Sequence, residues 1–213
     1  MSKKYELVVD DTITFWGWKL FRIRALISFG SVEAGEFGGY IHTEENLSQE
    51  DDAWVSGNAK VWGNAKVWGN AWVSGNAWVW GNAEVSGNAE VWGDAEVWGN
   101  AWVSGNAKVW GNAEVSGNAK VWGNAKVWGN AKVWGDAEVW DLGDVIIFKN
   151  HWSSGRHFTY TKSNKKWRVG CFYGTGQELI DKAYQDNDKS GNYYKAYVEF
   201  VEKLEALDES ERS

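Results

Sequence analysis

The chain has 213 residues, a net charge of -7, 18 tryptophans, 25 glycines, one cysteine and no proline. That length holds one elongated unit with small appendages, and no apolar run approaches the roughly 18 residues of a membrane span. One cysteine excludes an internal disulfide, and the start, Met1-Ser-Lys-Lys running into Tyr5-Glu-Leu-Val, has no apolar secretion core, so the expected compartment is the reducing cytoplasm.

Residues 1–52 read as a cap. Two predicted strands, Tyr5 to Thr14 and Lys19 to Ile27, flank Phe15-Trp-Gly-Trp, and the second alternates Leu20, Arg22, Arg24 against Phe21, Ile23, Ala25. Val32, Phe37 and Ile41 then recur near the period of the following repeats but not on it. Val32 to Asp52 therefore reads as a degenerate first coil, since the terminal repeats of a solenoid are atypical and cover its apolar end.

Residues 53–142 are fifteen consecutive six-residue units, fourteen of which fit A-x-V-[WS]-G-[ND]. Ala59 and Val61 are two apart and share one face of a strand, while Lys60 and Trp62 point the other way. The Gly-Asn or Gly-Asp pair is a corner, because both residues tolerate positive φ. A four-residue strand and a two-residue corner are expected in each unit. An antiparallel meander would use the same turns but would leave a flat ribbon with nothing over its apolar face, so the units are read as stacked coils.

Read from its valine, the unit V-[WS]-G-[ND]-A-x is similar to the hexapeptide repeat of left-handed parallel β-helices, with an aliphatic residue inward at the first position and a small one inward at the fifth. The resemblance implies a mainly β fold: a left-handed parallel β-helix of five to six triangular coils, three units and 18 residues to a coil. Five coils at strand spacing make a prism about 24 Å tall.

In that register the position after valine reads Ser56, Ser74, Trp92, Trp110, Trp128 on a first face, Trp62, Trp80, Trp98, Ser116, Trp134 on a second, and Trp68, Ser86, Ser104, Trp122, Trp140 on a third. The ladders Trp92, Trp110, Trp128 and Trp62, Trp80, Trp98 are the candidate binding residues of the prism. The other outward position carries Trp54, Trp72, Trp78 and Trp102 with six Lys and five Glu, so fourteen tryptophans are expected to project from the prism. Stacked charges are opposite at Lys66/Glu84, Glu90/Lys108, Glu114/Lys132 and Lys120/Glu138 and alike in two further cases, which favours the 18-residue register.

Residues 143–213 read as a small α+β domain. Asp144 to Trp152 holds a strand, and Arg156 to Lys162 with Lys165 to Tyr173 reads as a hairpin around Ser163-Asn164. Thr175-Gly-Gln-Glu178 is a capping box before a first helix. A second helix, about Tyr193 to Leu207, places Tyr193, Tyr197, Phe200, Val201 and Leu204 on one stripe.

Leu20-Phe-Arg-Ile-Arg-Ala-Leu, Val32-Glu-Ala-Gly-Glu-Phe-Gly-Gly-Tyr-Ile, Glu45-Asn-Leu-Ser-Gln, the repeats, and Gly170-Cys-Phe-Tyr-Gly-Thr before a helical tail together resemble hexapeptide-repeat proteins of bacteriophages and prophages. That resemblance implies the cytoplasm of an infected or lysogenic bacterium as the site of action, and it brings no reaction or catalytic residue with it.

The chemistry-bearing residues are few. Segments 1–52, 53–142 and 143–213 carry 5 basic and 10 acidic, 6 and 8, and 11 and 11 residues, so none offers the basic surface that duplex nucleic acid requires. Hexapeptide acyltransferases use a histidine base and a loop that interrupts the coils, whereas His42, His151 and His157 all lie outside these uninterrupted repeats. His151, His157 and Cys171 have no standard zinc spacing and no fourth ligand, so no metal and no cofactor is expected. What remains is a surface: a non-enzymatic binding protein that contacts protein partners, including copies of itself as a dimer or trimer, with no duplex nucleic acid or membrane as partner. The alternative is a protein that sequesters a nucleotide-like signal of bacterial defence. Bases would stack on a ladder, and phosphates would meet Arg156, Lys162, Lys165, Lys166 and Arg168 of the tail.

Overall fold

The computed structural model describes residues 3–212, the side chains of residues 211 and 212 excepted. It is mainly β, a parallel solenoid of about six turns with a small unit of antiparallel sheet and helices at its C-terminal end. Fifteen short strands, β4 (Trp54–Val55) through β18 (Glu138–Val139), one per unit, stack at 18-residue intervals into three parallel sheets. Residues pair across coils as the triangular register requires, for example Trp92 with Trp110 and Lys120 with Glu138.

Most units form only two residues of strand, not four; Glu90–Gly93 and Lys108–Gly111 are the longer ones. The residue after valine still donates its N–H to the next coil, as Ser74 does to Val91 at 2.9 Å, but the chain then turns through glycine. Every alanine and valine of the repeat is buried, so between its two ends the core consists of their columns. Gly111 shows how close the corners pack: a Cβ there would lie 3.0 Å from the backbone nitrogen of Gly129, at a φ of +73° that already disfavours a side chain. Asparagines beside these glycines form ladders of amide hydrogen bonds, Asn64 to Asn82 to Asn100 to Asn118.

The N-terminal cap continues the second face. The hairpin β1 (Tyr5–Phe15) and β2 (Trp18–Ala25) pairs with β3 (Phe37–Ile41), which runs parallel to β5 (Lys60–Val61) and places Ile41 over Val61. Leu47 stands over Val67 on the third face, which completes the degenerate coil. Above the first face Tyr5 and Phe29 pack on Trp54, and the buried Lys4 ammonium donates to the carbonyls of Glu50, Asp51 and Ala53. Tyr5, Ile23, Ile41 and Leu47 join the valines in one continuous core.

The last coil is β16 (Lys126–Val127), β17 (Lys132–Val133) and β18, followed by the sheet β19 (Val145–Lys149), β20 (His157–Thr161), β21 (Lys166–Val169) and β22 (Phe172–Gly174) and the helices α1 (Gly176–Asp186) and α2 (Asp188–Arg212). One face of this sheet, through Val145 and Ile147, packs on the end of the solenoid core. Its other face, with Phe158, Tyr160 and Trp167, forms a second core with the helices. The capping box at Thr175 and Glu178 is present.

Three expectations for the tail need correction. The chain reverses at Gly170, whose φ is +57°, so Phe172 and Tyr173 form a separate strand instead of continuing the hairpin. The second helix begins at Asp188, where the Asn187 side chain accepts the N–H of Ser190. Of the expected stripe Val201 is buried and Tyr197 packs against the core, but Tyr194 and Val198 take the buried places expected of its other members and Phe200 is left half exposed.

Candidate interaction surface

The tryptophans divide by what covers them. Trp54 and Trp62 are buried and Trp68, Trp128 and Trp140 are exposed, with the rest of the repeat tryptophans between. The expectation that fourteen indoles project freely is therefore corrected at Trp54 and Trp62, which the cap covers.

On the second face Trp62, Trp80 and Trp98 stack at 5.1 and 4.9 Å with interplanar angles of 4° and 5°. The tip of the β1–β2 hairpin folds over this ladder. Phe15 packs edge-on against Trp62 and Trp78, and Trp16 against Trp62, Trp78 and Trp80. At the other end Trp98 meets Trp134 across the buried Ser116, and the Arg168 guanidinium lies 3.5 Å from the centre of the Trp134 ring. Hairpin and tail thus cover the two ends of this face, and the sequence signal was the aromatic turn Phe15-Trp-Gly-Trp, too short to show where it would pack.

On the first face Trp92, Trp110 and Trp128 stack at 5.0 and 5.5 Å with interplanar angles of 0° and 18°. Among the described residues no cap or tail aromatic packs on them. Parallel rings use their faces on each other, so the ladder turns mainly ring edges outward. Glu90 and Lys108 run beside it as an ion pair at 2.8 Å. At its lower end Trp128 opens onto a groove of about 500 Å³ whose opposite wall is β19, with Lys149 and His157 at the rim. Phe148 lines that groove and also touches Tyr197 and the half-exposed Phe200 of α2, so an aromatic track runs from Trp92 to the helix.

The third face is shaped by size complementarity. Trp102 donates its indole N–H to Ser86 at 3.1 Å, so a large residue before one valine lies over a small one after another. Three of the four predicted ion pairs form, Lys108–Glu90, Lys120–Glu138 and Lys132–Glu114, and the fourth pair, Lys66 and Glu84, is in register.

The basic residues expected to act together are dispersed. Lys162 and Lys165 face Asp208 and Glu205 of α2, and Lys166 lies 3.9 Å from Glu178 of α1. Arg168 is laid on Trp134, and burial pulls its pKa below the ordinary value against the field of Glu114. Arg156 sits in the loop between β19 and β20, outside the hairpin. His42 packs edge-on to Trp18, His151 to Trp152 and Tyr193, and Cys171 is exposed. The sequence matches no protein-family model, and no curated protein shows significant similarity to it.

Proposed function

We propose that the chain is a non-enzymatic interaction protein, of the kind carried by phages and prophages, in which the solenoid displays the first face to protein partners and to a second copy of itself. One observation carries this reading. Of the two three-membered tryptophan ladders, the cap's Phe15 and Trp16 pack on Trp62 and Trp80, whereas among the described residues no cap or tail aromatic packs on Trp92, Trp110 or Trp128, of which Trp128 is exposed and the other two half-buried. A ladder of indole edges that continues into a groove walled by Val145, Ile147 and Phe148 is a contiguous apolar surface, and such surfaces mark contact sites. The nucleotide-sequestering alternative draws less support. The ladder faces are occupied by neighbouring rings, and four of the five tail cations meet carboxylates or an indole.

Two deletions test the reading by light scattering. Removing residues 108–125 keeps the register, so Trp92 comes to stand over Trp128 above an unchanged groove. Removing residues 108–113 turns the lower coils by one face, so Ser116 falls beneath Trp92 and Trp128 joins the third face. The first variant should remain associated and the second should become monomeric. A wild-type protein that is monomeric at high concentration, or equal behaviour of the two variants, refutes the assignment of this face.

A further inference from the structure

The C-terminal end of the solenoid is closed unevenly. In each earlier coil the residues flanking the valine and the corner Asn or Asp donate their N–H groups to the next coil, as Lys108 does to Ala125 at 2.9 Å and Asn112 to Gly129 at 2.7 Å. Below the last coil there is no next coil, and the tail supplies substitutes on two faces. Thr159 Oγ1 accepts from Lys132 at 3.0 Å, Ser163 Oγ from Glu138 at 2.7 Å and Asp144 Oδ2 from Trp140 at 2.8 Å. Beneath β16, on the first face, no acceptor among the described residues reaches the N–H groups of Lys126, Trp128 and Asn130. The space is open as well: a Cβ on Gly129 would meet nothing within 4 Å, whereas the next corner of the same coil, Gly135, is filled by Tyr173.

The facing wall is also a strand edge. β19 is the outermost strand of its sheet, and Asp144 and Asn150 bond to Lys162 and Arg156 across the pair. The antiparallel alternation then leaves Val145, Ile147 and Lys149 with their backbone groups on the unpaired side. Two unpaired edges bordering one apolar groove form a template for an added strand. Charge selects its composition: Lys149 and His157 line the groove, Lys126 stands exposed on β16 with Lys108 in register beside it, and no carboxylate is among the lining residues.

We propose that this groove takes an extended acidic segment of a partner protein as an added strand, its main chain on β16, its apolar side chains against Trp128 and Phe148, and its carboxylates on Lys126 and Lys149. The proposal rests on the protein-binding reading above and names the partner chemistry for its lower end.

The test uses the full-length protein and end-blocked eight-residue peptides of alternating Glu and Val, with a Lys/Val peptide and a Glu/Val peptide N-methylated at alternate residues as comparators. Saturating Glu/Val peptide should slow amide exchange at Lys126 and Trp128 at least tenfold. The N-methylated and Lys/Val peptides should bind at least tenfold more weakly, because one lacks donors along an edge and the other carries the wrong charge. The double variant Lys126→Glu with Lys149→Glu, both exposed positions, should reverse the preference between the two charged peptides. Amides of Lys126 and Trp128 that are already protected in the free protein, or that do not respond to millimolar Glu/Val peptide, overturn the strand site. That failure is separable from failure of the ladder reading, because light scattering reports association through Trp92 and Trp110 without the peptide.

Discussion

Replacing Trp110 or Trp80 by alanine removes the central ring of one ladder in each case, so the pair separates what a ladder does for the fold from what it does for contact. Trp110 stacks on Trp92 and Trp128, and at about 0.5–1.5 kcal/mol for each stack the loss is about 1–3 kcal/mol before burial is counted. Trp80 stacks on Trp62 and Trp98 and also receives the edges of Trp16 and Trp78, so Trp80→Ala should cost about 1–2 kcal/mol more than Trp110→Ala. Urea unfolding followed by circular dichroism measures this order, read as midpoint shifts because cooperativity along a repeat array is limited. Light scattering should give the opposite order. Trp110→Ala, the milder lesion, should abolish self-association, while Trp80→Ala, the harsher one, should leave it intact at temperatures where it is folded. If Trp80→Ala dissociates the protein as readily as Trp110→Ala, association follows stability and the first-face ladder has no special role.

Gly111→Ala and Gly129→Ala share a left-handed backbone, with φ of +73° and +65°, but only the first places its methyl group against the next coil. Both should lose about 1–2 kcal/mol from the backbone conformation, and Gly111→Ala about 1–3 kcal/mol more from the contact; equal thermal shifts would contradict the close approach. Glu96 stands in register with Glu114, and its pKa is raised by burial first and by Glu114 second, with Lys132 opposing. Glu96→Lys should therefore stabilise by up to about 1 kcal/mol at neutral pH, and an unchanged or lower unfolding midpoint would count against this reading of the stack. Burial pushes the Lys4 ammonium down to about 8 despite Asp52 and Asp51, so from pH 8 upward the unfolded chain holds more protons at this site than the folded one. Stability should rise from pH 8 to about pH 10 in the wild type relative to Lys4→Met and level off above that, while the raised hydroxyl pKa values of Tyr5 and Tyr160 lower the stability of both proteins at still higher pH.

The period of the repeat carried the fold because it constrains every coil alike. Alanine and valine two apart define the inward face, Gly-Asn defines the corner, and the charge signs on Lys66, Glu90, Glu114 and Lys120 select an 18-residue turn over other stackings. The ends obey no such repetition, and there the reading was coarser. Two apolar stripes lie side by side on α2, and the choice between Phe200 and Tyr194 for the core depends on the rotation of the helix against Phe158 and Trp167, a tertiary fact. The Lys4 ammonium, with its three carbonyl acceptors, had no local signal, because those carbonyls come from 46 to 49 residues away.

The same contrast explains why the candidate surface had to be found in the structure. In sequence the two ladders look alike, three tryptophans spaced by 18, and the difference that Trp80 has Trp78 two residues before it where Trp110 has Lys108 does not say which ladder is covered. The difference arises from where the non-repetitive segments fall. The hairpin joins the second-face sheet as an extension of β3, so its turn is delivered onto Trp62 and Trp78. β20 and β21 lie beneath that same face, with Thr159 on Lys132 and Arg168 on Trp134. The aromatic turn of the hairpin and the Arg168 guanidinium thus both fall on the second face, and no cap or tail aromatic among the described residues packs on the first-face ladder. A repeat that makes three faces and two ends whose aromatic and cationic contacts to the ladders fall on one of them yield a molecule with a defined front. The front lies along Trp92, Trp110 and Trp128 and the open edge of β16.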